Sequence, residues 1–308
     1  MSDNSLAVFA GYRQRLFGVA YHMLGSVSDA EDIVQETWLR WSAADRSEID
    51  DPLAYLVRIT SRLGLNRIRD NKSRRESYIG PWLPEPLLIS GDVAEEVTDR
   101  IERDHAVSMA MLVVLESLSP AERAVFVLRE VFGMAHDEVA TALGRSPDAV
   151  RQLAHRARSQ VQARRPRFDA EPAVQQQVTE RFLAACATGD LANLLELLAP
   201  DVQLVSDGGG KTRAALRAIN GAAKVARFMI AIIQDGLTGA SVEFTNINGE
   251  SGVAICTSDG QLRIGMVELS SGRIARVLIF ANPDKLSGMV GQTGPRHSST
   301  FDEASGAE

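Results

Sequence analysis

The sequence predicts a multidomain chain: two all-α helical domains, then an α+β domain with a curved antiparallel sheet. Three observations carry this. Apolar residues recur at helical spacing from about residue 6 to 78 and again from 105 to 165, with no plausible strand in the first block. Between the blocks Pro81, Pro84 and Pro86 break the chain, and the acids Asp92, Glu95, Glu96, Asp99, Glu102 and Asp104 follow. Beyond Pro172 the pattern turns to helices and then short strands. Asn248-Gly249, Asp259-Gly260 and Ser271-Gly272 punctuate those strands and supply the positive φ angles of tight hairpins.

A chain of 308 residues is long enough for two or three compact domains. With 33 Lys+Arg against 40 Asp+Glu the formal charge is −7, which taken whole argues against a protein that coats nucleic acid without specificity. Two cysteines, Cys186 and Cys256, make neither a disulfide scaffold nor a cysteine-rich zinc site and suggest a reducing compartment. The opening residues lack the basic head and apolar run of a secretory leader. The longest apolar run, Met109 to Leu115, falls well short of the ~20 residues that span a bilayer. The expectation is a soluble, cytoplasmic protein with no membrane partner, no metal and no cofactor.

In the first block, residues 1–78, Ser28-Asp29-Ala30-Glu31 reads as a capping box. The helix it opens is two-faced. Ala30, Ile33, Val34, Trp38 and Trp41 form the apolar stripe, and Asp29, Asp32, Gln35, Glu36 and Arg40 lie away from it. That acidic face is either solvated or a dock for a basic partner. The next helix starts after Asp50-Asp51-Pro52 and buries Leu53, Leu56, Ile59 and Leu63. Arg58, Arg62, Asn66 and Arg69 share another side, followed by Lys72, Arg74 and Arg75. From 58 to 75 seven basic residues face one acid, Asp70. A one-sided basic stripe with Tyr55 near its start suits a groove that tracks a nucleic-acid backbone; a solvated face is the plainer reading.

After a linker over 79–104, the block 105–166 opens with Ser119-Pro120-Ala121-Glu122, an N-cap, a first-position proline and an N3 acid. A short helix from His136 to Leu143, a turn at Gly144-Arg145 and a helix over 147–161 have the punctuation of a helix-turn-helix. Val150, Leu153, Ala154, Ala157 and Val161 point inward. Outward lie Asp148, Gln152, His155 and Ser159, flanked by Arg151 and Arg156. Arg and Gln make paired hydrogen bonds to guanine and adenine edges in the major groove.

A short breaker, 167–172, leads to a domain over 173–288. Val174, Val178 and Phe182 mark a helix that Gly189 ends, and Asp190 caps the next. A strand near Val202–Val205, a Gly-rich loop and a helix through Val225, Phe228, Met229, Ile232 and Ile233 precede the strands. Residues 289–308 are small and polar and are expected to be a disordered tail. Gly210-Lys211-Thr212 invites a phosphate-loop reading, but the glycine such a loop needs five residues earlier is Val205. Carboxylates for acid-base chemistry are available, yet the only histidine beyond residue 172 is His297 in the tail, so this domain offers no catalytic residue.

Residues from about 6 to 165 resemble an extracytoplasmic-function sigma factor of bacterial RNA polymerase. Residues 29–41 resemble the family's polymerase-clamp helix, residues 51–59 its −10 reading and melting region, and 118–158 its −35 helix-turn-helix. The resemblance implies that Asp29, Asp32, Gln35 and Glu36 bind core polymerase at the β′ clamp, with the β flap a second contact. It implies −10 contacts by Tyr55, Arg58, Arg62, Asn66, Arg69, Lys72, Arg74 and Arg75, and −35 contacts by Arg151, Gln152, His155, Arg156 and Arg158. Tyr55 stands where the family often has Trp. The remaining third resembles a SnoaL-like, NTF2-like cone, as fused in the sigma-J type. Trp82-Leu83-Pro84-Glu85-Pro86, Asp207-Gly208-Gly209-Gly210-Lys211 and Asn282-Pro-Asp-Lys-Leu286 carry that match. The resemblance implies a regulatory contact between the first two of these segments and a small ligand in the cone as an option, and it does not imply a separate anti-sigma factor. Two other readings stay open: a ligand-sensing DNA-binding regulator without polymerase, and a SnoaL-like enzyme fused to a DNA-binding module.

The net charge is then less informative than its distribution. Residues 1–168 hold 22 basic and 24 acidic residues. The basic stretches at 58–75 and 145–167 are offset by the acidic helix and linker, as suits a protein with little standing affinity for free DNA.

Overall fold

The computed structural model describes residues 2–45, 47, 49–88, 107–164, 171–236, 239–289 and 299–300. Two compact units make up the chain: residues 1–77 with 91–165, and residues 78–90 with 166–308. The acidic run at 92–104 and most of the tail, His297 included, lie outside the described residues.

The first unit is helical. Helices α1 (Ser2–Leu24), α2 (Val27–Ala43) and α3 (Pro52–Glu76) bury Leu16, Phe17, Tyr21, Ile33, Trp41 and Leu56. Trp41 lies inside because its indole Nε1 donates to the Ser5 carbonyl at 3.0 Å, satisfying the one polar atom of a large apolar side chain. The cap of α2 is Ser26, whose hydroxyl accepts from the Asp29 amide at 3.3 Å. This corrects the expected box at Ser28: Gly25, at φ +66°, ends α1 and starts α2 two residues early, so Ser28 is already helical and Glu31 turns to Arg13 at 2.6 Å.

The same unit continues through α4 (Met109–Leu115), α5 (Pro120–Phe126) with a π-helical turn at Val127–Val131, α6 (His136–Leu143) and α7 (Pro147–Arg164). Ser119 and Glu122 form the expected capping box at α5. Gly144, at φ +63°, closes α6 in the left-handed conformation that a side chain resists. Arg123 is 3% exposed and ties the helices together: Nε donates to Leu115 O at 2.9 Å, and Nη1 to Met23 O at 3.1 Å and Glu116 at 2.7 Å.

The second unit packs α8 (Pro172–Thr188), α9 (Leu191–Leu197) and α10 (Ala222–Gly236) against one face of a curved sheet. Its strands are β1 (Leu198–Asp207), β2 (Ile219–Asn220), β3 (Ser241–Ile247), β4 (Glu250–Cys256), β5 (Leu262–Ser270), β6 (Arg273–Phe280) and β7 (Ser299–Thr300), in the order β2-β1-β6-β5-β4-β3-β7. The strands β3 to β6 form the antiparallel meander that the three hairpin dipeptides announce, with Asn248 and Ser271 at positive φ. β1 departs from that expectation and runs parallel to β6. No hairpin joins the two; a helix and the meander intervene, the long crossover that parallel pairing requires.

Alternation along the strands gives the sheet two buried faces. Leu204, Val253, Val267 and Val277 join the helix-facing core. Their neighbours Ile264, Met266, Leu278 and Phe280 point the other way and are also buried. The linker is tied to that second side. Leu83, Pro84, Leu87 and Leu88 are buried, Leu88 bridges to Ile247, and the short helix α11 (Pro283–Leu286) adds Leu286. Glu268 and Arg276, cross-strand partners on this side, form a 3.0 Å ion pair with the acid 6% exposed.

Candidate functional site

Four sets of side chains make up the candidate site. On α2, Asp32 and Gln35 are exposed and Glu36 is half-buried, bonded to Arg40 at 2.6 Å one turn on. Leu39 beside them is 58% exposed, an apolar side chain in a charged surface. Asp29 differs: Arg67 reaches one oxygen at 2.5 Å and Asn71 the other at 2.7 Å, so this acid holds α2 to α3. Neither partner was singled out in the sequence; each lies within the basic stretch of α3, and only the packing of two helices distinguishes them from its exposed members.

On α3, Arg62, Asn66 and Arg69 are exposed in one row, and Arg58 is half-buried with its guanidinium 5.1 Å from the Tyr55 ring centroid. Tyr55 in turn lies 5.9 Å from Trp41, tilted. Lys72, Arg74 and Arg75 continue on the last turns of α3; their side chains lie outside the described ones. Arg62, Asn66 and Arg69 line a groove of about 370 Å³ with Leu143, Gly144 and Arg145. Across it Arg62 Nε donates to the Ala142 carbonyl at 3.0 Å, near the carbonyl-rich end of α6. One member of the stripe is thus spent on the helix-turn-helix within this unit.

On α7, Arg151, Gln152, His155, Arg156 and Arg158 are all exposed, and the five predicted inward residues are all buried. Arg151 pairs with Asp148 at 2.5 Å, Arg156 with Glu122 at 3.2 Å and Arg158 with Glu130 at 3.4 Å. The Arg151 pair is exposed on both sides and weak, whereas the acids that meet Arg156 and Arg158 are 10% and 32% exposed. They hold the guanidinium groups in place without burying them, and Gln152 and His155 project between.

The fourth set lies in the second unit, where Asp207 gathers the linker. Asp207 is fully buried. Its Oδ1 accepts from the Tyr78 hydroxyl at 2.5 Å and the Gly209 amide at 3.1 Å; Oδ2 accepts from the Leu83 amide at 2.9 Å and Lys285 Nζ at 2.7 Å. The Lys285 ammonium also donates to the Leu83 carbonyl and sits 4.0 Å from the Trp82 ring centroid. Asn282 donates to Tyr78 Oη at 2.8 Å. Burial, then the hydrogen bond to Asp207, hold the Tyr78 hydroxyl well above the ordinary phenol range, so it stays a donor.

The Gly-rich loop fits this latch for steric reasons. A Cβ on Gly209 (φ +59°) would lie 2.4 Å from Asn282, and one on Gly210 (φ +71°) 2.8 Å from Ile79. A Cβ on Gly208 would lie 2.7 Å from Ala214. Lys211 is exposed, and its ammonium rests on Asp284 at 2.6 Å rather than on the linker. Further along, the Leu87 amide donates to Asn248 Oδ1 and the Asn248 amide to the Leu87 carbonyl, both at 2.9 Å. Pro84 and Pro86 are buried and Glu85 is half-buried between them. Tyr78, Asn248 and Lys285 were absent from the expected site. Lys285 stood within a noted motif, but nothing local set it apart from any surface lysine.

Residues 8–74 match the family Sigma-70 region 2, and residues 108–161 match Sigma-70, region 4. The chain is 40% identical over 291 residues to the ECF RNA polymerase sigma factor SigJ of Mycobacterium tuberculosis, covering 91% of this chain and 92% of that protein. It is 40% identical over 202 residues to the probable ECF RNA polymerase sigma factor SigI of the same species, covering 65% and 69%. The crystal structure of M. tuberculosis extracytoplasmic function sigma factor SigJ superposes with a TM-score of 0.73 at 37% identity, over 92% of this chain and 98% of that one.

Proposed function

The chain belongs to the extracytoplasmic-function (ECF) sigma factors of RNA polymerase, and on that premise we propose how its residues divide the work of promoter-directed initiation and how the second unit governs it. Sigma factors bind core polymerase and promoter DNA and are initiation factors rather than enzymes. The exposed part of the α2 face, Asp32, Gln35, Glu36 and Leu39, docks on the β′ clamp; Asp29 keeps that face in position from behind. Tyr55, Arg58, Arg62, Asn66 and Arg69, with Lys72, Arg74 and Arg75, hold the melted −10 strand. Arg151, Gln152, His155, Arg156 and Arg158 read the −35 element in the major groove, and the β flap supports the helix-turn-helix. The protein works in the cytoplasm, with polymerase.

The observation that carries this division is the sorting of exposed charge: acids exposed on α2, Asp32 with only a long 3.5 Å contact to Arg67, and bases exposed on one side of α3 and of α7. Because Arg62 is committed to Ala142, a DNA strand engages the full α3 row only after α6 moves away. Regulation lies in the second unit. Residues 78–88 are held there by Asp207, Lys285 and Asn248, which limits how freely the two DNA-reading blocks reach −10 and −35 together. A cavity between the helices and the sheet of this unit is the place for a small ligand that biases the latch.

The division is tested by co-purification with core polymerase. The full chain is expected to co-elute, and Asp32→Ala/Glu36→Ala to lose most of that association while Arg151→Ala/Arg156→Ala keeps it. Equal retention by both variants would remove α2 as the dock.

A further inference from the structure

Between the helices and the sheet of the second unit lies a cavity of about 60 Å³. Phe182, Met229, Ile233, Val253, Val267 and Ile279 supply its apolar wall. Among the described residues its polar lining is sparse and one-sided: two arginines, Arg213 and Arg263, two hydroxyls, Thr179 and Ser206, and no acid. Arg213 is exposed, which places its end of the cavity at the surface. Arg263 projects from the helix-facing side of β5, two residues from Gly265, and its buried Nε has no hydrogen-bond partner among the described residues; exposed Asp259, outside the lining, interacts with its charge. The Thr179 hydroxyl is already donated to the Gln175 carbonyl, and the Ser206 hydroxyl accepts from the Ala215 amide at 2.8 Å.

An apolar chamber of this kind stays dry and takes apolar matter. A buried guanidinium nitrogen without an acceptor is costly and favours an anion. Together they point to a small carboxylate with a short hydrocarbon tail: tail in the chamber, carboxylate on Arg263 and Arg213. We infer that the second unit binds such a short-chain hydrophobic carboxylate, and that occupancy is transmitted to the linker latch. The transmission follows from strand alternation. Ser206 faces the chamber, while its neighbour Asp207 faces the linker. The loop between them and Arg213 is pinned to the latch side as well, since Thr212 Oγ1 donates to the Ala281 carbonyl at 2.9 Å and Ala281 N to the Asp207 carbonyl at 2.8 Å. This inference rests on the reading of the second unit as regulatory only for its consequence; binding is measured without polymerase.

The test titrates the full chain with acetate, butyrate, butan-1-ol and butylammonium by calorimetry, with amide hydrogen exchange over 78–88 followed in parallel. Butyrate is expected to bind more tightly than acetate, by about fourfold for each methylene that the chamber accepts. Butanol and butylammonium are expected to bind on the order of tenfold more weakly than butyrate, and Arg263→Gln to lose a similar factor for butyrate alone. Exchange at Leu83 and Leu87 is expected to change on saturation. No binding of any carboxylate at millimolar concentration, or equal binding of butanol and butyrate, would overturn the ligand class. Binding that leaves exchange at 78–88 unaltered would overturn the coupling. A failed titration leaves the polymerase and promoter assays untouched, so the two readings fall separately.

Discussion

Asp207 and Lys285 form an ion pair of 2.7 Å with side chains only 1% and 12% exposed, and the pair's remaining hydrogen-bonding capacity is filled largely by the linker. Removing one partner strands a buried charge, a loss of about 3–5 kcal/mol. Lys285→Met is therefore expected to lower the stability of the second unit by that order, and Asp207→Asn/Lys285→Met to recover part of it. Chemical denaturation followed by circular dichroism gives both numbers. Additive losses in the double variant would show that the two side chains do not act as a pair.

The phenol of Tyr78 allows a milder perturbation. Tyr78→Phe keeps the ring beside Lys285 and removes one donor to the buried carboxylate, a loss of roughly 1–3 kcal/mol. Limited proteolysis is expected to cut residues 78–90 faster in this variant than in the parent. Equal cutting rates would mean that the linker is held by its leucines alone.

Glu268 makes stability depend on pH. Burial pushes its carboxyl up to about 7, with Arg276 pulling the other way and Glu250 adding to the rise. The folded protein then holds a proton that the unfolded chain releases near pH 4.5, so this group's contribution is intact below about 4.5 and lost as pH rises through 7. Glu268→Gln is expected to gain roughly 3 kcal/mol over the parent above pH 7.5, with the gap closing below pH 5. Thermal denaturation across that range measures it; a gap independent of pH would assign the effect to packing instead.

Much of this architecture was legible locally. The helix periods, the Ser119 capping box, the Gly144 turn and the hairpin dipeptides are short-range signals, and the buried row of α7 follows from spacing alone. What was not legible depends on partners distant in sequence. Asp29 looked like its neighbours on the acidic face until α3 brought Arg67 and Asn71 against it. The latch joins Tyr78, Asp207 and Lys285, which no local pattern relates, and the parallel β1–β6 pairing needs the whole meander in place. Ser26 displaced Ser28 as the α2 cap because Gly25 set the turn.

The central claim, that this chain directs polymerase to promoters through α2, α3 and α7, is tested most directly by in vitro transcription with core polymerase. The template is a promoter mapped by sequencing transcripts that start when the chain is overproduced. Initiation at that start is expected to fall on the order of tenfold or more with Arg151→Ala/Arg156→Ala, and similarly with Asp32→Ala/Glu36→Ala. Undiminished initiation by both double variants would contradict the account.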